Sequence, residues 1–113
     1  VGPYSQAIAT GGLVFLAGQI PLVPGTSDFA GPDVATQTRQ CLKNIEAVLA
    51  AEGLTLANVV KTTVLMQDLK DFATMNAVYS EIFGAHKPAR STFQVAALPR
   101  AALVEIEVIA AHE

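Results

Sequence analysis

A chain of 113 residues with 51% hydrophobic content is one domain's worth of sequence, and its 15% charged residues fall short of the roughly 25% of an ordinary soluble surface. The net charge of −3, with seven basic residues scattered singly, argues against the basic footprint of a nucleic-acid or anionic-membrane binder. One cysteine excludes an intrachain disulfide, one cysteine and two histidines offer no metal-ligand spacing, and no apolar run reaches the ~18 residues of a membrane span.

In chain order, residues 5–21 read as two short strands around Gly11-Gly12, a favoured two-residue hairpin turn. Residues 22–32 hold two prolines and two glycines and read as loop. Asp33 caps a helix running to about residue 52, with Gly53 as its stop. Val34, Cys41, Leu42, Ile45, Val48 and Leu49 form its apolar stripe, and Cys41 there reads as a small core residue. The β-branched run at 59–67 reads as a strand. Asp71 caps a second helix to about residue 83, ended by Gly84, and strands over about 90–96 and 103–111 follow. The order β-β-α-β-α-β-β, within a single domain over 1–113, predicts an α+β sandwich: two helices on one face of a mostly antiparallel sheet.

Alternation along the last two strands places Arg90, Thr92 and Gln94 beside Glu105 and Glu107 on the face away from the helices. Phe93, Val95, Val104, Ile106 and Val108 then point to the core. Leu65, with Phe15 or Leu16, makes the outer face partly apolar. Such a mixed face suits a subunit interface with polar sites set into it, against the plainer reading of a solvated sheet.

Five residues invite a chemical reading beside a structural one. Arg90 offers a planar charged fork for a carboxylate, or an ion pair to Glu105 or Glu107. Glu105 could deprotonate a water if partly desolvated, or be a solvated strand carboxylate. Asn76 interrupts the second helix's stripe of Phe72, Met75, Tyr79, Ile82 and Phe83, so its amide needs either a structural partner or a ligand. Gly18 could expose its backbone N–H or simply make a turn. Tyr4, after the stiff Gly2-Pro3 lead, is either a placed ring or core packing.

Together "GPYSQA" (2–7), "AGQIP" (17–21), "NVVKTTVLMQDLKDFATMNAVY" (58–79), "PARSTFQVAALP" (88–99) and "VEIEVIA" (104–110) resemble the RidA/YjgF family of reactive-intermediate deaminases. The resemblance implies a chorismate-mutase-like fold and a homotrimer whose sheets face inward, with ligand sites in clefts between subunits. It implies hydrolysis of 2-imino acids, such as 2-iminobutanoate and 2-iminopropanoate, to 2-oxo acids and ammonia. No metal and no organic cofactor is implied, nor a nucleic-acid or membrane partner. Carried over by motif, Arg90 clamps the substrate carboxylate, Glu105 holds the attacking water, and Tyr4 lines the pocket. Gly18 offers its N–H, and Asn76 lies at the site. Ala17 stands where many members have serine, and Thr92 where some have cysteine; Thr92 still offers its backbone. The loss at Ala17 leaves open a non-catalytic carboxylate-binding or chaperone-like module. A ribonuclease role fits less well, because there is neither a histidine pair nor a basic groove. The expected location is the cytoplasm, with a targeting segment ahead of Val1 left open.

Overall fold

The computed structural model describes residues 2–112. The chain runs β1 (Ala7–Thr10), β2 (Leu13–Leu16), α1 (Val34–Ala51), β3 (Val59–Met66), α2 (Phe72–Phe83), β4 (Ala89–Gln94) and β5 (Val104–Ala111). Gly11 and Gly12, at φ 56° and 81°, adopt the left-handed backbone that a two-residue hairpin needs, and Thr10 pairs with Leu13 across the turn. Asp33 begins α1 by accepting the Thr36 backbone N–H at 2.9 Å. Val34, Cys41, Leu42, Ile45 and Leu49 are buried along the predicted stripe. Cys41 is fully buried with its Sγ 3.7 Å from the Val104 carbonyl, and burial pushes its thiol far above the usual range, so it is no nucleophile. Among the described residues, no helix is long and apolar enough to cross a membrane.

The five strands form one sheet in the order β1-β2-β5-β3-β4. All neighbours are antiparallel except β3 and β4, which α2 connects as a crossover. The two helices pack on one face. Val14, Val64, Met66, Val104 and Ile106 meet Leu42, Ile45, Leu49 and Met75 there in a single core. Glu105 and Glu107 stand on the open face as the alternation of β5 predicts. Phe15 is exposed and Leu16 buried, which decides which of the two is the outward residue.

The phase of β4 is opposite to the sequence reading. Arg90, Thr92 and Gln94 pair with Thr62, Val64 and Met66, three residues fully buried beneath the helices. Arg90 and its row therefore stand on the helix side, while Ser91 and Phe93 join Thr63, Leu65, Glu105 and Glu107 on the open face. Phe93, expected in the core, is 54% exposed.

The reason lies in β4 being an edge strand. Its helix side is not sealed, so long polar side chains can lie along α2 and reach out past it. Gln94 shows this by accepting the Leu69 backbone N–H at 2.9 Å. The apolar member of the pair then falls to the open face, where Ile8 and Phe15 are exposed as well.

Candidate active site

The open face and the helix side each hold one group of the expected site residues. On the open face, Gln19 exchanges two backbone hydrogen bonds with Ile106, at 2.8 and 3.1 Å. This bridge holds Gly18 against the neighbouring Glu105. A Cβ on Gly18 would strike Glu105 Oε2 and come within 2.9 Å of its Cδ. Glycine at 18 is thus required because the carboxylate lies directly on the backbone, a steric demand beyond the exposed N–H expected of it.

Around them opens a cavity of about 830 Å³, lined by Tyr4, Ala17, Gly18, Arg100 and Glu105 among others. Tyr4 is 58% exposed at its rim, so the ring is not core packing. Ala17 uses its backbone N–H on the Gln6 carbonyl at 2.9 Å. The Glu105 carboxyl is held above the usual glutamate range, mainly by its partial burial and further by the like charge of Glu107. Such a carboxylate is a stronger base than a solvated one. Gly18→Ala is expected to force Glu105 aside. A displacement on the order of 1 Å at a reacting group costs roughly 100-fold, so turnover should fall by about that much. Melting curves and steady-state rates check it; normal turnover in a folded variant would mean the close approach has no chemical role.

On the helix side, Arg90 Nη1 donates to Asn76 Oδ1 at 2.7 Å. The guanidinium carbon sits 4.7 Å from the Tyr79 ring centroid and 5.5 Å from that of Phe72. Tyr79 is fixed in turn by a 2.8 Å hydrogen bond between its hydroxyl and Thr62 Oγ1. Burial raises the Tyr79 phenol, so the ring stays neutral beneath the cation. Among the described residues, Thr92 Oγ1 is shielded from solvent and has no hydrogen-bond partner, which leaves an acceptor and donor unused next to Arg90. A smaller cavity of about 340 Å³, lined by Asn76, Tyr79, His86, Lys87 and Arg90, adjoins.

Arg90 makes no ion pair with Glu105 or Glu107; the two groups occupy opposite faces of the sheet. That removes the structural alternative considered for Arg90. The apolar stripe of α2 did not mark Phe72 and Tyr79 as the cradle of the guanidinium; Tyr79 is buried as that stripe predicts, while Phe72 is exposed. Their spacing four before and three after Asn76 was the available signal. The sequence reading also missed Arg100. Because Asn76 orients the fork while contributing little to the core, Asn76→Ala should weaken carboxylate affinity with a nearly unchanged melting temperature. A large stability loss with normal affinity would make Asn76 structural.

The family model described as Endoribonuclease L-PSP matches residues 1–112. The chain belongs to the RidA/YjgF family. It is 51% identical over 113 residues to a RutC family protein of Pyrococcus horikoshii, covering 100% of this chain and 90% of that one. It is 46% identical over 113 residues to a protein of Escherichia coli named 2-iminobutanoate/2-iminopropanoate deaminase, covering 97% of this chain and 88% of that one. The crystal structure of Escherichia coli TdcF with bound serine superposes with a TM-score of 0.95 at 43% identity, covering 100% of this chain and 91% of the other. The RidA/YjgF fold expected from the motifs is thus the observed one, with its two helices on an open five-stranded mixed sheet.

Proposed function

We propose that this RidA-family chain hydrolyses 2-imino acids to 2-oxo acids and ammonia, in a site completed by two subunits of a homotrimer. The observation that carries the reading is the partly desolvated Glu105 carboxylate, laid against Gly18 in a cavity that Tyr4 borders. Arg90 supplies the carboxylate clamp. It faces away from the Glu105 of its own chain, so the substrate meets the Arg90, Asn76 and Thr92 of one subunit and the Glu105, Gly18, Ala17 and Tyr4 of the next. The exposed Ile8, Phe15 and Phe93 on the open face favour a covering neighbour. Relatives named 2-iminobutanoate/2-iminopropanoate deaminase support the reaction class, and a relative crystallised with serine supports a small carboxylate ligand.

The chemistry follows from these groups. Arg90 binds the substrate carboxylate through two parallel N–H donors and so fixes the imine carbon in place. Glu105 takes a proton from a water as its oxygen bonds to the C=N carbon, giving a carbinolamine. The same carboxyl then returns the proton to the nitrogen. Glu105 then carries the remaining hydroxyl proton to the nitrogen as the C–N bond breaks, so ammonia leaves with both protons of the water and the carbonyl of the 2-oxo acid forms. The C=N carbon is already electrophilic, so positioning and one base suffice, and no metal or organic cofactor takes part. We place the reaction in the cytoplasm, with neither nucleic acid nor membrane as partner. The test is ammonia and 2-oxo acid release from 2-iminobutanoate generated in situ, compared with the spontaneous rate. Acceleration supports the reading. A spontaneous rate together with tight 2-oxobutanoate binding would make the chain a carboxylate-binding module instead.

A further inference from the structure

The chain has three arginines, Arg39, Arg90 and Arg100, and they are held in two ways. Arg39 is ion-paired with Glu81 at 3.1 Å. Arg90 and Arg100 each rest instead on a neutral acceptor and an aromatic ring. For Arg90 these are the Asn76 amide oxygen and the rings of Tyr79 and Phe72. For Arg100 they are the Ser27 carbonyl and the Phe29 ring, 5.7 Å from the guanidinium carbon. Such anchoring fixes the fork without cancelling its charge, and donors remain free on it. Among the described residues, neither Arg90 nor Arg100 has a carboxylate within ion-pair distance.

Arg100 lines the cavity that contains Glu105, and it is the only basic residue to do so among the described residues. Its backbone is strained. Arg100 and Ala101 take φ 56° and 60°, consecutive left-handed positions that side chains rarely adopt. The buried Leu98 and Ala102 on either side, and the Ala102 N–H bonded to the Pro99 carbonyl at 3.1 Å, hold this turn in place. Arg100 is exposed at the cavity wall, and the turn holds its guanidinium, with donors free, where a ligand charge could be met.

From these observations we infer that Arg100 is a specificity-determining residue that receives a second substrate carboxylate. The substrate class then includes 2-imino dicarboxylates. The inference rests on the deaminase reading, with Arg90 on the carboxylate beside the imine and Arg100 on the distal one. Arg100 also offsets the repulsion that Glu105 exerts on a dianion.

The experiment compares wild type, Arg100→Met, Arg100→Gln and Arg100→Lys on 2-iminoglutarate and 2-iminobutanoate generated in situ by an amino-acid oxidase. Calorimetric binding of 2-oxoglutarate and 2-oxobutanoate runs in parallel, and melting curves confirm folding. Losing a charge-assisted contact corresponds to roughly a 10- to 100-fold effect. Arg100→Met should therefore lower the ratio of kcat/KM for the dicarboxylic over the monocarboxylic imine by about that factor, mainly through KM. Arg100→Gln, which can still donate to the Ser27 carbonyl, should lose the same preference if Arg100→Met fails to fold. Arg100→Lys should recover part of it. An unchanged ratio, whether both activities fall together or neither falls, overturns the inference. If wild type accelerates neither imine, the deaminase reading falls while the binding ratio still decides Arg100: selective loss of 2-oxoglutarate affinity supports it, and equal or no loss overturns it.

Discussion

Arg90→Ala is expected to lower kcat/KM on 2-iminobutanoate by at least ~100-fold and to weaken 2-oxobutanoate binding in step. A charge-assisted hydrogen bond contributes roughly 1.5–3 kcal/mol, and the guanidinium can form two to one carboxylate. Its geometry is prepared before ligand arrives: Asn76 Oδ1 accepts one N–H at 2.7 Å, and the Tyr79 and Phe72 rings carry the plane. Among the described residues, no carboxylate is paired with Arg90 and would have to be displaced first. Arg90→Lys should restore little, because an ammonium is a point charge that cannot present two parallel donors. Calorimetry with 2-oxobutanoate reads the binding loss directly. Normal binding by Arg90→Ala would remove Arg90 from the site.

Glu105→Gln is expected to separate binding from turnover. The amide keeps the shape beside Gly18 and some hydrogen bonding, so 2-oxobutanoate should still bind. It cannot take a proton from water, and a positioned general base typically contributes ~10²–10⁴-fold. Because partial burial and Glu107 hold the Glu105 carboxyl above the usual glutamate range, the acid limb of kcat/KM should lie above that range too.

The same shift acts on stability. Between the unfolded and folded pKa values the native state keeps a proton that the unfolded chain has released, so stability falls as pH rises through that window. At neutral pH Glu105 is thus a cost to the fold, and Glu105→Gln should melt at or above the wild-type temperature. The difference should close below the usual glutamate range. A variant with wild-type turnover, or one that melts lower at pH 7, would contradict this account of Glu105.

Local signals made most of the fold legible. Gly11-Gly12, the Asp33 cap and the stripe of α1 depend on neighbouring residues, and each stands where the sequence places it; in α2, Met75, Tyr79 and Phe83 are buried as expected while Phe72 is exposed. The phase of β4 was not legible in the same way. Alternation gives two faces but not which of them meets the helices, and Phe93 was assigned inward because apolar residues usually are. On an edge strand that rule fails: Arg90 finds aromatic rings and an amide on the helix side, and Phe93 is left for the open face.

The candidate site divides similarly. Motif resemblance pointed to Arg90, Glu105, Gly18, Tyr4 and Asn76, whereas their separation onto two faces required the strand pairing. Arg100 escaped notice because its place depends on a left-handed turn and on the distant Ser27 and Phe29, none of which a local pattern reports.

In the proposed trimer, each site joins the Arg90 of one subunit to the Glu105 of the next. Mixed assembly separates this arrangement from a site within one chain. Arg90→Ala and Glu105→Gln chains, each inactive alone, are unfolded together in equal amounts and refolded, with sedimentation used to confirm particles of three 11.8 kDa chains. Random assembly of a cyclic trimer leaves about one quarter of the sites with both residues intact, and deaminase activity should recover to about that fraction of wild type. A mixed preparation of trimers as inactive as its two parents would place Arg90 and Glu105 in the same subunit's site and contradict the account.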